Sequence, residues 1–374
     1  MISQNKQQNT QYLADGTKCE GEFREGLLEG KGSMTFPSGN KYEGVFNNGL
    51  LDGHGIIAYK DGRRFEGEFK EGQSIYGVIT FPNGSRYEGD FKDNRYNGKG
   101  KLYLADGGFF EGDFKDGKII KGKATNPNGL KYKGEFTNNK EHGNGISTNP
   151  EKYKFVGQFK NGKFHGKGLI TFIDGSKFEG DFEHGRFYSG VKTYADGSKY
   201  EGEFEHYLEH GLGAVFNPEG AEYSRGDFKD GKIIKGKMFF PDGSKYEGEF
   251  KDGKEYGYGK YIYSDGSTFE GEIKNRLGNG QCIHILPNGI KYEGDFKNGK
   301  IIKGIAINPN GIKYEGEFKD YKQNGEGEIT LLDGSRLKGE FRSGKPQGNF
   351  MKIFPDGSIE KKYYIKEGEV LGLS

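Results

Sequence analysis

Residues 117–123 read GKIIKGK, and residues 231–237 repeat them letter for letter. Gly117-x4-Gly122-Lys123 and Gly231-x4-Gly236-Lys237 therefore carry most of the spacing of a phosphate-binding loop. Such a loop cradles phosphates on backbone N–H groups, reaches them with the lysine, holds magnesium with a final hydroxyl, and leads into a helix N-terminus. Here the hydroxyl position is Ala124 or Met238, and the flanking pattern starts no helix. Nucleotide binding is not expected.

Seven histidines invite a metal or general-base reading. His142 and His165 stand 23 residues apart, His184 and His206 stand 22 apart, and each pair occupies equivalent places in a repeat. Equivalent positions of successive hairpins lie roughly 9–10 Å apart, whereas zinc ligands must converge to about 2 Å. His206 and His210 are four apart but fall in a loop, where that spacing has no helical meaning. Carboxylate pairs, from Glu20 and Glu22 to Glu315 and Glu317, recur with lysines between them along the whole chain. A catalytic pair is singular; these are periodic and read as a solvated face. No nucleophile motif is present. The expectation is a non-enzyme with no metal and no cofactor.

The elements that carry these residues are dictated by one repeat. In 245–267, KYEGEFKDGKEYGYGKYIYSDGS, an aromatic is followed after two residues by Gly and after two more by Phe. The central glycine recurs at Gly21, Gly44, Gly67, Gly89, Gly112, Gly134, Gly157, Gly180, Gly202, Gly226, Gly248, Gly271, Gly294, Gly316 and Gly339, at spacings of 22 to 24. Within each unit the period is two, which makes a half-buried antiparallel strand. A second strand follows, and then usually Asp-Gly or Asn-Gly, read here as a two-residue type I′ turn. The predicted fold is all-β: an elongated, twisted, single-layer antiparallel meander of about fifteen tandem β-hairpins, solenoid-like, in which neighbours bury each other's apolar face. No compositional break interrupts it. The expected organisation is a tail at 1–11, one array at 12–364, and a C-terminal cap or tail at 365–374, with Lys361, Lys362 and Lys366 protecting the last edge.

Five units are shortened to 22 residues and carry QSIYG (73–77), KIIKG (118–122), RFYSG (186–190), KIIKG (232–236) and KIIKG (300–304). Their anchors recur after two units and then three, which groups the array into three blocks of five. GKIIKGK is thus a phase mark of a larger repeat, and the shortened units are expected to change the local twist.

Composition agrees. Glycine supplies 67 of 374 residues, hydrophobics only 32%, and tryptophan is absent, so a thick core cannot be filled; Phe and Tyr total 30 and 24, too many for disorder. Formal charge is +1, which draws the chain to no nucleic acid. Cys19 and Cys282 alone fit a reducing compartment, and no apolar run of about 18 residues predicts a membrane helix. The reading is cytoplasmic.

The unit resembles the MORN motif, close to YEGEWKNGKRHGYGVYTWPDG, over about residues 12–364. This chain departs from it at Cys19, Ser224 and Leu337, where the aromatic is lost, at Ile273 in place of Phe, and at Pro150-Glu151-Lys152, which lacks the turn glycine. Those units are expected to be the loosest. MORN arrays organise radial spoke heads of cilia and protist cytoskeletal rings, and often dimerise. The resemblance therefore implies a non-catalytic scaffold or adaptor spacing partner proteins in a cytoskeletal or ciliary (axonemal) assembly, with homodimerisation a further expectation. Its alternative is a membrane tether binding anionic phospholipids such as phosphoinositides.

Two candidate sites follow. The first is an aromatic groove for a partner's helix or extended segment, formed by Tyr42, Phe46, Phe65, Phe69, Tyr87, Phe91, Tyr200, Phe204, Tyr246, Phe250, Tyr292, Phe296, Tyr314 and Phe318. Rings packing on glycines and on one another would close it. The second is a lipid or partner edge at Lys118, Ile119, Ile120 and Lys121, at Lys232, Ile233, Ile234 and Lys235, and at Lys300, Ile301, Ile302 and Lys303. Ile75, Tyr76, Phe187 and Tyr188 extend it as an apolar landing stripe.

Overall fold

A computed structural model describes residues 9–274 and 276–364. Among them are thirty-two strands, from β1 (Asn9–Tyr12) to β32 (Ile359–Tyr364), and no helix. The chain forms two compact units, 1–188 and 189–374, with the boundary inside β17 (Arg186–Thr193). In each unit the strands pair antiparallel with their neighbours in chain order, as a meander requires.

β8 (Arg86–Lys92) and β9 (Arg95–Tyr103) show how one hairpin is built. The turn between them is Asp93-Asn94, with φ of 51° and 57°. Two successive positive φ angles make it type I′, whose twist matches the strands it joins. The Asp-Gly turn lies at the other end and is built differently. The Leu104 N–H donates to Gly108 O, the Gly107 N–H donates to Leu104 O, and only Gly107 has positive φ, 90°. This is a three-residue loop, a type I turn closed by a left-handed glycine, and it corrects the type I′ expectation. The aspartate, central in the loop, closes it further with its side chain: Asp174 Oδ1 accepts the Ser176 N–H at 2.9 Å and the Ser176 hydroxyl at 2.6 Å.

The second strand of an ordinary unit is bulged. Gly89 faces Gly100 and Phe91 faces Tyr96, so residues 97–99 oppose Asp90 alone. Gly98, at φ 76°, makes the bend, and Asp90 Oδ2 accepts the Lys99 N–H at 2.8 Å. In a shortened unit the bulge holds one residue. β10 (Phe109–Lys115) pairs with β11 (Lys118–Thr125) so that Asp113 faces Lys121 and Phe114 faces Ile119, leaving Ile120 extra. Shortening is therefore the exchange of a glycine bulge for a single-residue one.

Between the two ends, glycine faces glycine. Gly77, Gly89, Gly100, Gly112, Gly122, Gly134 and Gly145 are successive register partners across seven strands. In the second unit Cys282 interrupts the row between Gly271 and Gly294.

Two expectations change, and a third falls outside the described residues. Residues 9–11, assigned to a tail, belong to β1, which pairs with β2 (Lys18–Arg24). Residues 365–374, and Lys366 with them, lie outside the described residues; Lys361 is exposed on β32. The departures at Cys19, Ser224, Ile273 and Leu337 are not loose places, because all four side chains are buried, each filling the core position it inherits.

Candidate functional site

The aromatic stripe is core. Of its fourteen members, thirteen are buried and Tyr42 is half-buried against Phe36, with ring centroids 4.6 Å apart. The expected groove is thereby corrected, for a geometric reason. Tyr87 lies over the glycine pair of its own hairpin, where a Cβ on Gly100 would come 2.4 Å from its Cζ. Its ring stacks on Tyr96 at 3.8 Å, meets Phe91 edge-on at 5.2 Å, and meets Phe114 of the next unit at 5.1 Å. The same edge-to-face pairs recur at Tyr200 and Phe204, Tyr246 and Phe250, and Tyr314 and Phe318. The rings of Tyr87, Tyr200 and Tyr314 are thus covered by backbone below and by the following unit's Phe114, Phe228 and Phe341 at the edge, whereas Tyr246, whose following unit has Ile273 there, meets Tyr261 at 4.8 Å.

The buried phenols are satisfied internally. Tyr87, Tyr246 and Tyr314 donate to the carbonyls of Asp90, Glu249 and Glu317, each at 3.0 Å. Burial pushes the hydroxyls of Tyr246 and Tyr314 up to about 12. Their hydrogen-bonding capacity is spent inside the fold rather than on a partner.

The Lys-Ile-Ile-Lys edges are divided between core and surface. Ile119, Ile233 and Ile301 are buried, while Ile120, Ile234 and Ile302 are exposed. The exposed residue is the single bulge residue, as it is for Ile75 in its hairpin. Of the landing stripe, Ile75, Tyr76 and Tyr188 are exposed and Phe187 is buried. The first lysine of each edge is held by the following turn: Lys118 Nζ donates to Asn138 Oδ1 at 2.8 Å, Lys232 pairs with Asp252 at 2.9 Å, and Lys300 pairs with Asp320. The second lysines face carboxylates across the ladder, Lys121 with Glu135, Lys235 with Glu249 and Lys303 with Glu317. Three of the six lysines are therefore already engaged, and the other three each lie opposite a carboxylate, which weakens the basic edge expected for a membrane contact.

The histidines are dispersed. His165 and His184 are neighbours with ring centroids 6.3 Å apart, and His54 lies against Glu66 and Glu68. Sequence reasoning missed His284, which is half-buried in the second unit. Its Nδ1 donates to Tyr321 Oη at 3.0 Å, and Tyr321 in turn donates to Gly299 O at 2.6 Å. Tyr321 occupies a type I′ turn with φ 61°, where glycine or asparagine usually stands. That anomaly was visible in the sequence as an aromatic in a turn position.

Also missed was Glu209, buried in a position that is Leu28 or Ile119 in other hairpins. It is neutralised by Lys192 at 2.6 Å and accepts a short hydrogen bond from the Tyr194 hydroxyl. Lys192 also lies over the Tyr194 ring, 4.4 Å from its centroid.

The surface left for partners is the polar face. In the first unit it carries a groove of about 640 Å³, floored by the glycine row and walled by five lysines, among them Lys121, Lys123 and Lys133, and by Glu88, Glu111 and Asp113, with Tyr76 and Ile146 in its lining.

The family model of the MORN repeat matches eleven segments of this chain, 19–41, 42–63, 65–86, 87–109, 132–150, 155–177, 200–214, 246–268, 292–301, 314–336 and 338–359. The chain is a member of the MORN-repeat family. The units of Gly112, Gly180, Gly226 and Gly271 fall outside those MORN matches, and three of the four are shortened. No curated protein matches the chain. Among solved structures, a mutant of the TCP10 domain of Danio rerio CPAP is similar at 15% identity, over 59% of this MORN chain and 99% of that one, with a TM-score of 0.25. The SAS-4 TCP domain of Drosophila melanogaster, solved with a proline-rich motif of Ana2, is similar at 16% identity over 47% and 90%, with a TM-score of 0.26. At such scores neither likeness bears on function.

Proposed function

We propose that this MORN array is a non-catalytic scaffold or adaptor that binds and spaces partner proteins on the polar faces of its sheets, in a cytoskeletal or ciliary assembly. The observation that carries the reading is the use of the aromatic face as core, which leaves a periodic polar surface on each unit as what the array offers to others. A ladder of hairpins repeats that surface at fixed intervals along a chain with no single focal point, which suits positioning better than turnover. Family membership supports the binding role; the assembly and the cellular site are part of the proposal.

Binding of anionic lipid is the weaker reading, because Lys118, Lys232 and Lys300 are already engaged by neighbouring turns. Fractionation of cells carrying the tagged chain, with detergent and moderate salt, tests the choice. Retention in the detergent-resistant pellet, with crosslinks to proteins through polar-face residues, is the expected result. Release by detergent from a membrane pellet, together with flotation on anionic liposomes, would overturn it.

A further inference from the structure

Residues 131–136 read KYKGEF where 245–250 and 313–318, in the same register, read KYEGEF. The altered residue, Lys133, lies on β12 (Lys131–Thr137), directly opposite Lys123 of β11. In the other four shortened hairpins the same cross-strand position holds a glutamate: Glu88 opposite Val78, Glu201 opposite Val191, Glu247 opposite Lys237 and Glu315 opposite Ile305. Lys237 and Glu247 form the ion pair this position is suited to, at 3.2 Å. Like charges directly opposite are destabilising, so the first unit carries a local electrostatic cost that its equivalents avoid.

Lys123 also faces Glu111 on its other side, and Glu88 faces Lys101 in the same groove, but among the described residues no carboxylate closes an ion pair with Lys123 or Lys133. Asp113 is taken by Lys99 at 2.6 Å, and Glu111 lies 3.8 Å from Lys101. Glu135, which faces Lys121, has its carboxyl over the bulge glycine Gly143, where a Cβ would come 2.0 Å from its Oε2. Lys121, Lys123 and Lys133 are exposed and form no ion pair among the described residues. Beyond Lys133 the same row turns apolar: Lys133 faces Ile146 of β13 (Lys140–Asn149), Ile146 faces Val156 of β14 (Tyr153–Lys160), and Val156 faces Leu169 of β15 (Lys163–Phe172). Ile146 and Val156 are exposed, and these apolar residues adjoin one another, whereas Val78, Val191 and Ile305 of the same face each stand opposite a glutamate.

From this juxtaposition we infer that the row from Lys123 to Leu169 is a docking track for a protein segment with an acidic run followed by an apolar run, lying across the strands. Four interstrand steps give a length of about 19 Å, which about six extended residues span. Unpaired lysines supply the charge complementarity, and the apolar row fixes the polarity of the segment. A lipid headgroup would engage one end of such a track and leave the rest uncovered. The inference rests on the reading of the array as a binder of proteins and adds where one partner sits and what chemistry it carries.

The test is selection of a displayed library of random twelve-residue peptides on the immobilised full chain, in parallel with Lys133→Glu, which restores the charge pattern of the other hairpins. Enriched peptides are then measured by fluorescence anisotropy at low and moderate salt. Expected are peptides with adjoining acidic and apolar runs, salt-sensitive binding, and an affinity roughly tenfold lower for Lys133→Glu and for Ile146→Glu, with Lys260→Glu in the second unit unchanged. Enriched peptides that bind Lys133→Glu equally would overturn the track while leaving protein binding intact. Failure to enrich any acidic peptide would also overturn it, as would retention of phosphatidylserine vesicles by the wild type and not by Lys133→Glu. Only the crosslinking result above decides the broader scaffold reading.

Discussion

The ring of Tyr87 lies across Gly100 so closely that a Cβ on that glycine would stand 2.2 Å from the phenol oxygen. Real side chains do not approach so near, and the ring is fixed by Tyr96 on one side and the backbone on the other. Gly100→Ala is therefore expected to destabilise the first unit by about 1–3 kcal/mol through overpacking. Urea denaturation followed by tyrosine fluorescence measures it. In a Tyr87→Leu background the same substitution should cost less, because the neighbouring ring it strikes is gone. Equal costs in both backgrounds would mean that the glycine serves something other than the ring.

The buried phenols set an alkaline limit. Tyr246 and Tyr314 ionise near 10 when exposed and near 12 in the fold, because burial disfavours the phenolate. The folded state thus holds these protons more tightly than the unfolded state does, and stability is fully present below pH 10 and falls as pH rises from 10 toward 12. Absorbance titration of the phenolate should show these two groups silent at about pH 11 in the native protein. They should titrate normally in denaturant.

The aspartates of the Asp-Gly-Ser turns shift the other way. The Ser176 hydroxyl and N–H both donate to Asp174, and this holds its carboxyl below the usual 3.8. Its contribution is present above pH 3.8 and is lost as pH falls through the lower folded value. Carbonyl NMR should show the Asp174 midpoint rising toward 3.8 in Ser176→Ala, with the strands unperturbed.

Buried Glu209 and half-buried Lys192 form an ion pair in the second unit. Removing the cation alone, as in Lys192→Met, strands the carboxylate and should cost about 3–5 kcal/mol. Converting Glu209 to Leu, the residue at the equivalent Leu28, should cost much less, since it removes the charge that needed the partner. Thermal denaturation of the two variants gives the comparison, and a larger loss for Glu209→Leu would contradict it.

Lys133→Glu should stabilise the first unit by about 0.2–1 kcal/mol, because the introduced carboxylate attracts Lys123 where the lysine repels it, and salt then weakens that attraction. Chemical denaturation at low and high salt reads this directly. A variant that gains stability while losing peptide affinity would identify the lysine pair as a feature maintained for binding.

Much of this protein is set by local rules that a sequence displays. A period of two, a glycine at fixed phase and a turn every few residues fix strands, antiparallel order and the five shortened hairpins, because each depends only on residues within one or two units. Hence the anchor glycines from Gly21 to Gly339 all fall inside strands. Turn type was less legible, since Asp-Gly suits either a two-residue or a three-residue loop and the closing hydrogen bond, Leu104 N–H to Gly108 O, decides between them.

What only the tertiary structure decided is which side of the alternation remains available. Tyr246 and Phe250 are on one face in either case, but whether that face is a groove or a core depends on how far each ring folds over its glycine pair and onto the next hairpin. Likewise Ile119 and Ile120 are adjacent and identical in type, yet a one-residue bulge buries the first and turns the second to solvent. The opposition of Lys123 and Lys133 is invisible along the chain until register makes them neighbours. Periodicity assigns a residue to a face; packing and register determine what that face meets.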